Sequence, residues 1–235
     1  MQYVVNKEGK IHGAEAVSRW QDPQEGLLTP AKYLDVLSRT GMIHDHDYFM
    51  FGQVCEQLEK WEKEGISDVT LSCNFTRFTI SDKKFLEDIT RITEKYSFNH
   101  NNMVIEITEN ALSDDRKTSL KKINGCKDLG FPIVLDDIGG GDSSLIDLYD
   151  YPIDCVKVER KIILNALDER GKKLLDGIIV LAHGLGIEVL CEGVETEEQN
   201  EMVLSTDCDL IQGFYYSRVL PQDEANKFLK ENLGV

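Results

Sequence analysis

Short runs rich in Val, Ile, Leu and Cys recur along the chain, separated by longer stretches with apolar residues at helical spacing. The runs predict strands over 1–6, 11–17, 69–73, 103–107, 133–135, 155–158, 188–191 and 210–211. The spacing predicts helices over 29–40, 44–63, 82–95, 114–129 and 163–185, one beginning after Thr196, and a last over 222–233. Thr29-Pro30 opens the first and Gly41 stops it. In the second, Phe49, Val54, Leu58 and Trp61 form a face expected to pack on a sheet. Gly171 and Gly177 weaken the 163–185 helix locally. A turn at Lys7-Glu8-Gly9-Lys10 joins the first two strands as a hairpin, the one departure from strand–helix alternation.

Alternation of this kind predicts an α/β fold with a largely parallel sheet. Eight strands in 235 residues suit a closed barrel of the triosephosphate-isomerase type, typically about 250 residues. Loops are short and no linker divides the chain, so 1–235 reads as one domain. No apolar run has transmembrane length and no signal peptide is visible. The expected location is therefore the cytoplasm, without membrane contact by this domain. The six cysteines lack CxxC spacing, and Cys73, Cys155 and Cys191 sit in apolar runs as buried free thiols. His44-x-His46 has no suitable ligands near it and reads as structural.

A net charge of −16 makes long DNA or RNA a poor partner. A small anionic substrate is still compatible with it if bound cations neutralise the site. Glu15, Asn74, Glu106, Asp136, Asp137, Lys157, Glu192 and Gln212 all fall at or near the C-terminal ends of predicted strands. In a barrel those ends share one face, where active sites are built. Each residue has a plainer reading: Glu15 on the solvated face of an edge strand, Asp136 and Asp137 as a helix cap, Lys157 as a structural ion pair. Seven strands contributing such groups to one rim favour chemistry. Carboxylates with one amide oxygen form a hard donor set suited to Mg²⁺ or Mn²⁺. Two adjacent aspartates can serve two such ions, and Lys157 can hold a water or a phosphate charge.

The motifs Gly13-Ala14-Glu15-Ala16-Val17-Ser18-Arg19-Trp20, Asn74-Phe75-Thr76, Glu106-Ile107-Thr108-Glu109 and Asp136-Asp137-Ile138-Gly139 follow one another in a familiar order. Lys157-Val158-Glu159-Arg160, Glu192-Gly193-Val194-Glu195-Thr196 and Gln212-Gly213-Phe214-Tyr215 complete it. In these the chain resembles the EAL domain, the cyclic di-GMP phosphodiesterase family named for Glu-Ala-Leu. The resemblance implies a modified (β/α)8 barrel with one antiparallel strand. It also implies hydrolysis of cyclic di-GMP to linear 5′-pGpG with two Mg²⁺ or Mn²⁺ ions per site. Glu15, Asn74, Glu106, Asp136, Asp137 and Glu195 are then the metal residues, Glu192 the general base and Lys157 the group that positions water. Arg19 is a substrate contact, Gln212 orients neighbouring site groups, and Glu109 braces the loop after the paired aspartates.

Departures from the family pattern are Val17 for Leu, Glu159 for Asp, and Ile138, Gly140 and Asp142 for Phe, Thr and Tyr. Extra glycine raises the entropic cost of ordering that loop. The alternative function is thus a weak or inactive cyclic di-GMP receptor. A homodimer and a longer parent protein with a sensory or diguanylate cyclase module are further expectations. A serine-esterase reading of Gly141-Asp142-Ser143-Ser144 needs a base and an acid, and only His183 follows, without an orienting acid in the pattern. No Gly-Lys-Ser/Thr follows the glycines, so a P-loop is a poor reading.

Overall fold

The computed structural model describes residues 1–108, 112, 116–138 and 145–234. Its strands are β1 (Gln2–Asn6), β2 (Ile11–Ala16), β3 (Trp20–Asp22), β4 (Gly26–Leu28), β5 (Thr70–Phe75), β6 (Met103–Thr108), β7 (Ile133–Ile138), β8 (Cys155–Val158), β9 (Glu188–Cys191) and β10 (Leu210–Gln212). All but β3 and β4 close a barrel in the order β1-β10-β9-β8-β7-β6-β5-β2. β1 runs antiparallel to both its neighbours, and the other barrel pairs are parallel. The expected hairpin, barrel and single reversed strand are therefore present. β3 and β4 form a separate small hairpin that the sequence reading leaves out.

Helices α1 (Pro30–Thr40), α2 (Ile43–Lys63), α3 (Arg77–Ser81), α4 (Phe85–Thr93) and α5 (Arg116–Asp128) occupy the first half. α6 (Leu145–Asp150), α7 (Arg160–Asn165), α8 (Glu169–Gly184), α9 (Glu197–Leu204) and α10 (Gln222–Leu233) follow. Pro30 starts α1, and Gly41 at φ 73° ends it with its N–H on the Leu37 and Ser38 carbonyls. Thr196 and Gln199 form a reciprocal capping box on α9. Among the described residues no helix is long and apolar enough to cross a membrane. All six cysteines are free and buried.

Three expectations need correction. The 163–185 helix is two helices, and Gly171 is the reason. A Cβ there would lie 2.0 Å from the Asn165 carbonyl oxygen, so glycine lets the end of α7 meet the start of α8. The 82–95 helix is shorter than expected, running from Phe85 to Thr93 as α4, and α3 precedes it as a separate short helix. On α2, Val54, Leu58 and Trp61 are buried, but Phe49 is 63% exposed.

Strand periodicity separates two apolar layers. Residues such as Ile105, Leu135, Val156, Val189 and Ile211 point outward and pack with the helices. Val4, Val104, Val134, Cys155, Leu190 and Leu210 form a second cluster inside the barrel. Two residues further along the same strands stand Glu106, Asp136, Lys157, Glu192 and Gln212. The period of two aims each of these inward as well, one layer nearer the strand C-termini. Thus the apolar plug of the barrel is the floor on which the polar rim rests.

Candidate active site

Lys157 is the centre of the rim. Only 1% of the residue is exposed. Its Nζ donates to Glu106 Oε2 at 2.9 Å and Glu15 Oε2 at 3.2 Å, and lies 2.5 Å from Glu192 Oε1 and 3.7 Å from Asp136 Oδ1. Burial alone would lower the pKa of this ammonium. The four carboxylates outweigh it and hold the lysine charged, its pKa well above the ordinary range.

Each carboxylate responds to its surroundings. Burial pushes Glu15 up, but Lys157, Gln212 and Asn74 prevail and leave it below the ordinary value. Asn74 Nδ2 donates to Glu15 Oε1 at 2.7 Å and Gln212 Nε2 to Oε2 at 3.0 Å. Glu106 is pushed up to about 8, by burial first and by the charge of Glu15 second. Glu192 is pushed up to about 7, mainly by burial, with Asp136 and Glu15 adding to it against Lys157. Asp136 is also raised, burial again leading. These acids are crowded enough to compete for protons, and a cation would relieve them.

Asp137 reaches the same place by a backbone irregularity. On a regular strand, adjacent side chains point to opposite faces. The β7–β8 register shifts between Leu135 and Ile138, and Asp137 has φ 63°, in the left-handed region. Its N–H donates to Asp136 Oδ1 at 2.9 Å. As a result Asp136, Asp137 and Glu192 each offer a carboxylate oxygen within 4.8 Å of the others. This oxygen-only set fits a hard divalent cation.

Glu195 stands apart from this trio and pairs with Arg160 Nη2 at 2.7 Å. Arg19 donates through Nη1 to the Ser18 carbonyl at 2.8 Å. A cleft of about 420 Å³ is lined by Arg19, Glu15, Asp136, Lys157, Glu192, Glu195 and Gln212. Arg160 and Gln2 also line it, and neither had a role in the sequence reading. Gln2 was detectable, because it lies two residues from the inward Val4 on reversed β1. Glu15 corrects its edge-strand reading: β2 is paired on both sides, with β1 and β5. Glu109 and the loop positions Gly139 to Ser144 lie outside the described residues. His183 does have an acid partner, Asp209 Oδ2 at 2.8 Å. That same oxygen accepts the Val189 N–H near the start of β9, at the end of the barrel away from the rim.

The family model described as EAL domain matches residues 2–219. The chain belongs to the EAL domain family. This EAL domain is 29% identical to the oxygen sensor protein DosP of Escherichia coli, over 92% of the chain and 27% of DosP. It is 28% identical to the bifunctional diguanylate cyclase/cyclic di-GMP phosphodiesterase MucR of Pseudomonas aeruginosa, over 94% of the chain and 32% of MucR. The chain thus spans about a third or less of the length of these curated relatives. Among solved structures, the PaMucR phosphodiesterase in its c-di-GMP complex superposes with a TM-score of 0.90 at 28% identity. That match covers 95% of this EAL domain and 92% of the other chain.

Proposed function

We propose that this EAL domain hydrolyses cyclic di-GMP to linear 5′-pGpG in a metal-dependent reaction. The observation that carries the reading is the convergence of Asp136, Asp137 and Glu192 oxygens within 4.8 Å, beside Lys157, in a cleft open to a small ligand. The phosphodiesterase names of MucR and of its c-di-GMP complex support the same substrate.

Asp136 and Asp137, with Glu15, Asn74, Glu106 and Glu195, would hold two Mg²⁺ or Mn²⁺ ions. Such ions would supply Lewis acidity to the phosphoryl group and lower the pKa of an attacking water. Glu15 and Glu106 lie on Lys157 and Glu195 on Arg160, so ion binding would redistribute these contacts. Arg19 holds the anionic ligand in the cleft, and Gln212 fixes Glu15. Lys157 orients the attacking water. Glu192, with its proton affinity near neutrality, accepts the proton as the new O–P bond forms. The P–O3′ bond breaks in line, and the 3′ oxygen leaves with a proton from solvent.

The domain is read as one module, 1–235, of a longer cytoplasmic protein that acts as a homodimer. MucR, named for cyclase and phosphodiesterase activities together, supports a neighbouring diguanylate cyclase module, and DosP a sensory one.

The test is chromatographic detection of pGpG with Mg²⁺ and Mn²⁺ titrated separately, against a Glu192→Gln control. Product that requires metal and disappears in the control is expected. Binding of cyclic di-GMP with no product above the control would replace the enzyme reading by the receptor reading.

A further inference from the structure

Behind Arg19 lies a hydrogen-bonded chain that the cleft chemistry does not use. Asp47 on α2 is 2% exposed. Its Oδ2 accepts from the Thr76 N–H at 3.0 Å, the Thr76 hydroxyl at 2.7 Å and the Thr79 hydroxyl at 2.6 Å. Its Oδ1 faces His46 Nδ1 at 3.2 Å. A carboxylate only accepts, so Nδ1 of His46 donates to it. Nε2 lies 3.2 Å from Ser18 Oγ, and Ser18 Oγ lies 2.5 Å from the Tyr33 hydroxyl. Tyr33, Ser18, His46 and Asp47 are thus joined in one hydrogen-bonded chain.

The order acid, imidazole, hydroxyl is that of a hydrolytic triad. Here Ser18 Oγ is also hydrogen-bonded to the Tyr33 hydroxyl. The chain's attachments indicate a different role. One end grips Thr76, two residues after Asn74 on the adjoining strand end. The other grips Ser18, whose carbonyl holds the Arg19 guanidinium at 2.8 Å. Arg19 lies where the active cleft meets a second cavity of about 570 Å³ between α1, α2 and β3, which Ser18, Tyr33 and His46 also line. With open space on both sides, the hydrogen bond to the Ser18 carbonyl is what aims the guanidinium.

We propose that Ser18 and His46 are positioning residues that fix Arg19 toward the substrate. This rests on the cyclic di-GMP reading above. By this reading the relay acts through Arg19 alone and leaves the proton transfers untouched.

The test is a double-mutant cycle on the full chain with saturating Mn²⁺, reading kcat, KM for cyclic di-GMP and Tm. Loss of the hydrogen bonds made by the Ser18 hydroxyl is expected to raise KM about three- to tenfold in Ser18→Ala, with kcat changed by less than about threefold. Ser18→Thr, which keeps the hydroxyl, should return KM to within about twofold of the parent. Ser18→Ala combined with Arg19→Ala should raise KM no further than Arg19→Ala alone, because the two residues act as one unit. Additive effects, or a lower Tm with KM unchanged, would overturn the inference while leaving the hydrolase reading intact. If the parent binds without turnover, the cycle is read in Kd with the same two outcomes. A parent that neither binds nor hydrolyses cyclic di-GMP overturns both readings together.

Discussion

Lys157 and Asp137 are the residues whose physical states bear most on the site. The Lys157 ammonium lies within 3.7 Å of four carboxylates and is almost fully enclosed. Replacing it with methionine keeps the volume and removes the charge, leaving Glu106 and its neighbours without compensation. A buried ion pair that loses one partner costs about 3–5 kcal/mol. Lys157→Met is expected to lose about that much in urea unfolding at pH 8 in EDTA. The loss should be smaller at pH 5, where Glu106 can take up a proton; an equal loss at the two pH values would contradict the charge argument. Asp137 is a separate case, since asparagine also tolerates the left-handed backbone that this residue adopts at φ 63°. Asp137→Asn also removes one of two adjacent charges. Its apo-protein should therefore unfold at the parent temperature or slightly above it. Turnover should fall at least about tenfold, because the variant lacks a carboxylate of the proposed metal set. A parallel loss of stability and activity would mean that Asp137 serves the fold.

At the scale of elements, the site depends on how closely strand ends approach one another. A Cβ on Gly213 would sit 2.0 Å from the Val194 carbonyl oxygen and 2.5 Å from its nitrogen. Both are backbone atoms, and Val194 N–H itself bonds the Gln212 carbonyl at 3.2 Å. Gly213→Ala must push the end of β10 from the segment carrying Glu192, at about 1–3 kcal/mol, the usual cost of overpacking. The expected result is a lower urea midpoint together with reduced turnover; a midpoint equal to the parent's would show that the two segments separate freely. The close approach itself is not written in the sequence, where Gly213 is one of many turn glycines. What was legible follows a local rule: Glu106, Asp136, Lys157, Glu192 and Gln212 each stand two residues after an inward apolar one. The barrel, the reversed β1 and the Thr196 cap were accessible for the same reason, because each is set by spacing along the chain. The split of α7 from α8 was legible only as a weakening at Gly171, since it arises from contact between Gly171 and Asn165. The three-residue strands β3 and β4 are too short to show a period. The bulge that turns Asp137 inward depends on a dihedral angle, and the Arg160–Glu195 pair on two strand ends meeting.

For the whole molecule, the rim couples stability to pH and, under the proposed function, to metal. Glu106 and Glu192 have affinities raised from 4.5 to about 8 and about 7. The folded state therefore holds protons that the unfolded chain has released, and stability falls as pH rises between these limits. This contribution is complete below about 4.5 and lost as pH passes through 7 and 8. Lys157, also raised, changes the balance only above its ordinary 10.5, outside that window. Glu15, being lowered, contributes stability above its ordinary 4.5 that is lost only as pH falls below it. A divalent cation bound as proposed would take the place of those protons, so its benefit should be largest where they are absent. In thermal unfolding, Mg²⁺ should raise Tm more at pH 8 than at pH 5.5, by about 2–4 °C for each kcal/mol of linked stability. In EDTA the Tm should fall over the same interval. Glu106→Gln should flatten that fall, because it removes the group with the highest raised affinity, whereas surface carboxylates would titrate unchanged. Equal Mg²⁺ shifts at the two pH values, or a slope unaffected by Glu106→Gln, would separate the metal site from this ring of acids.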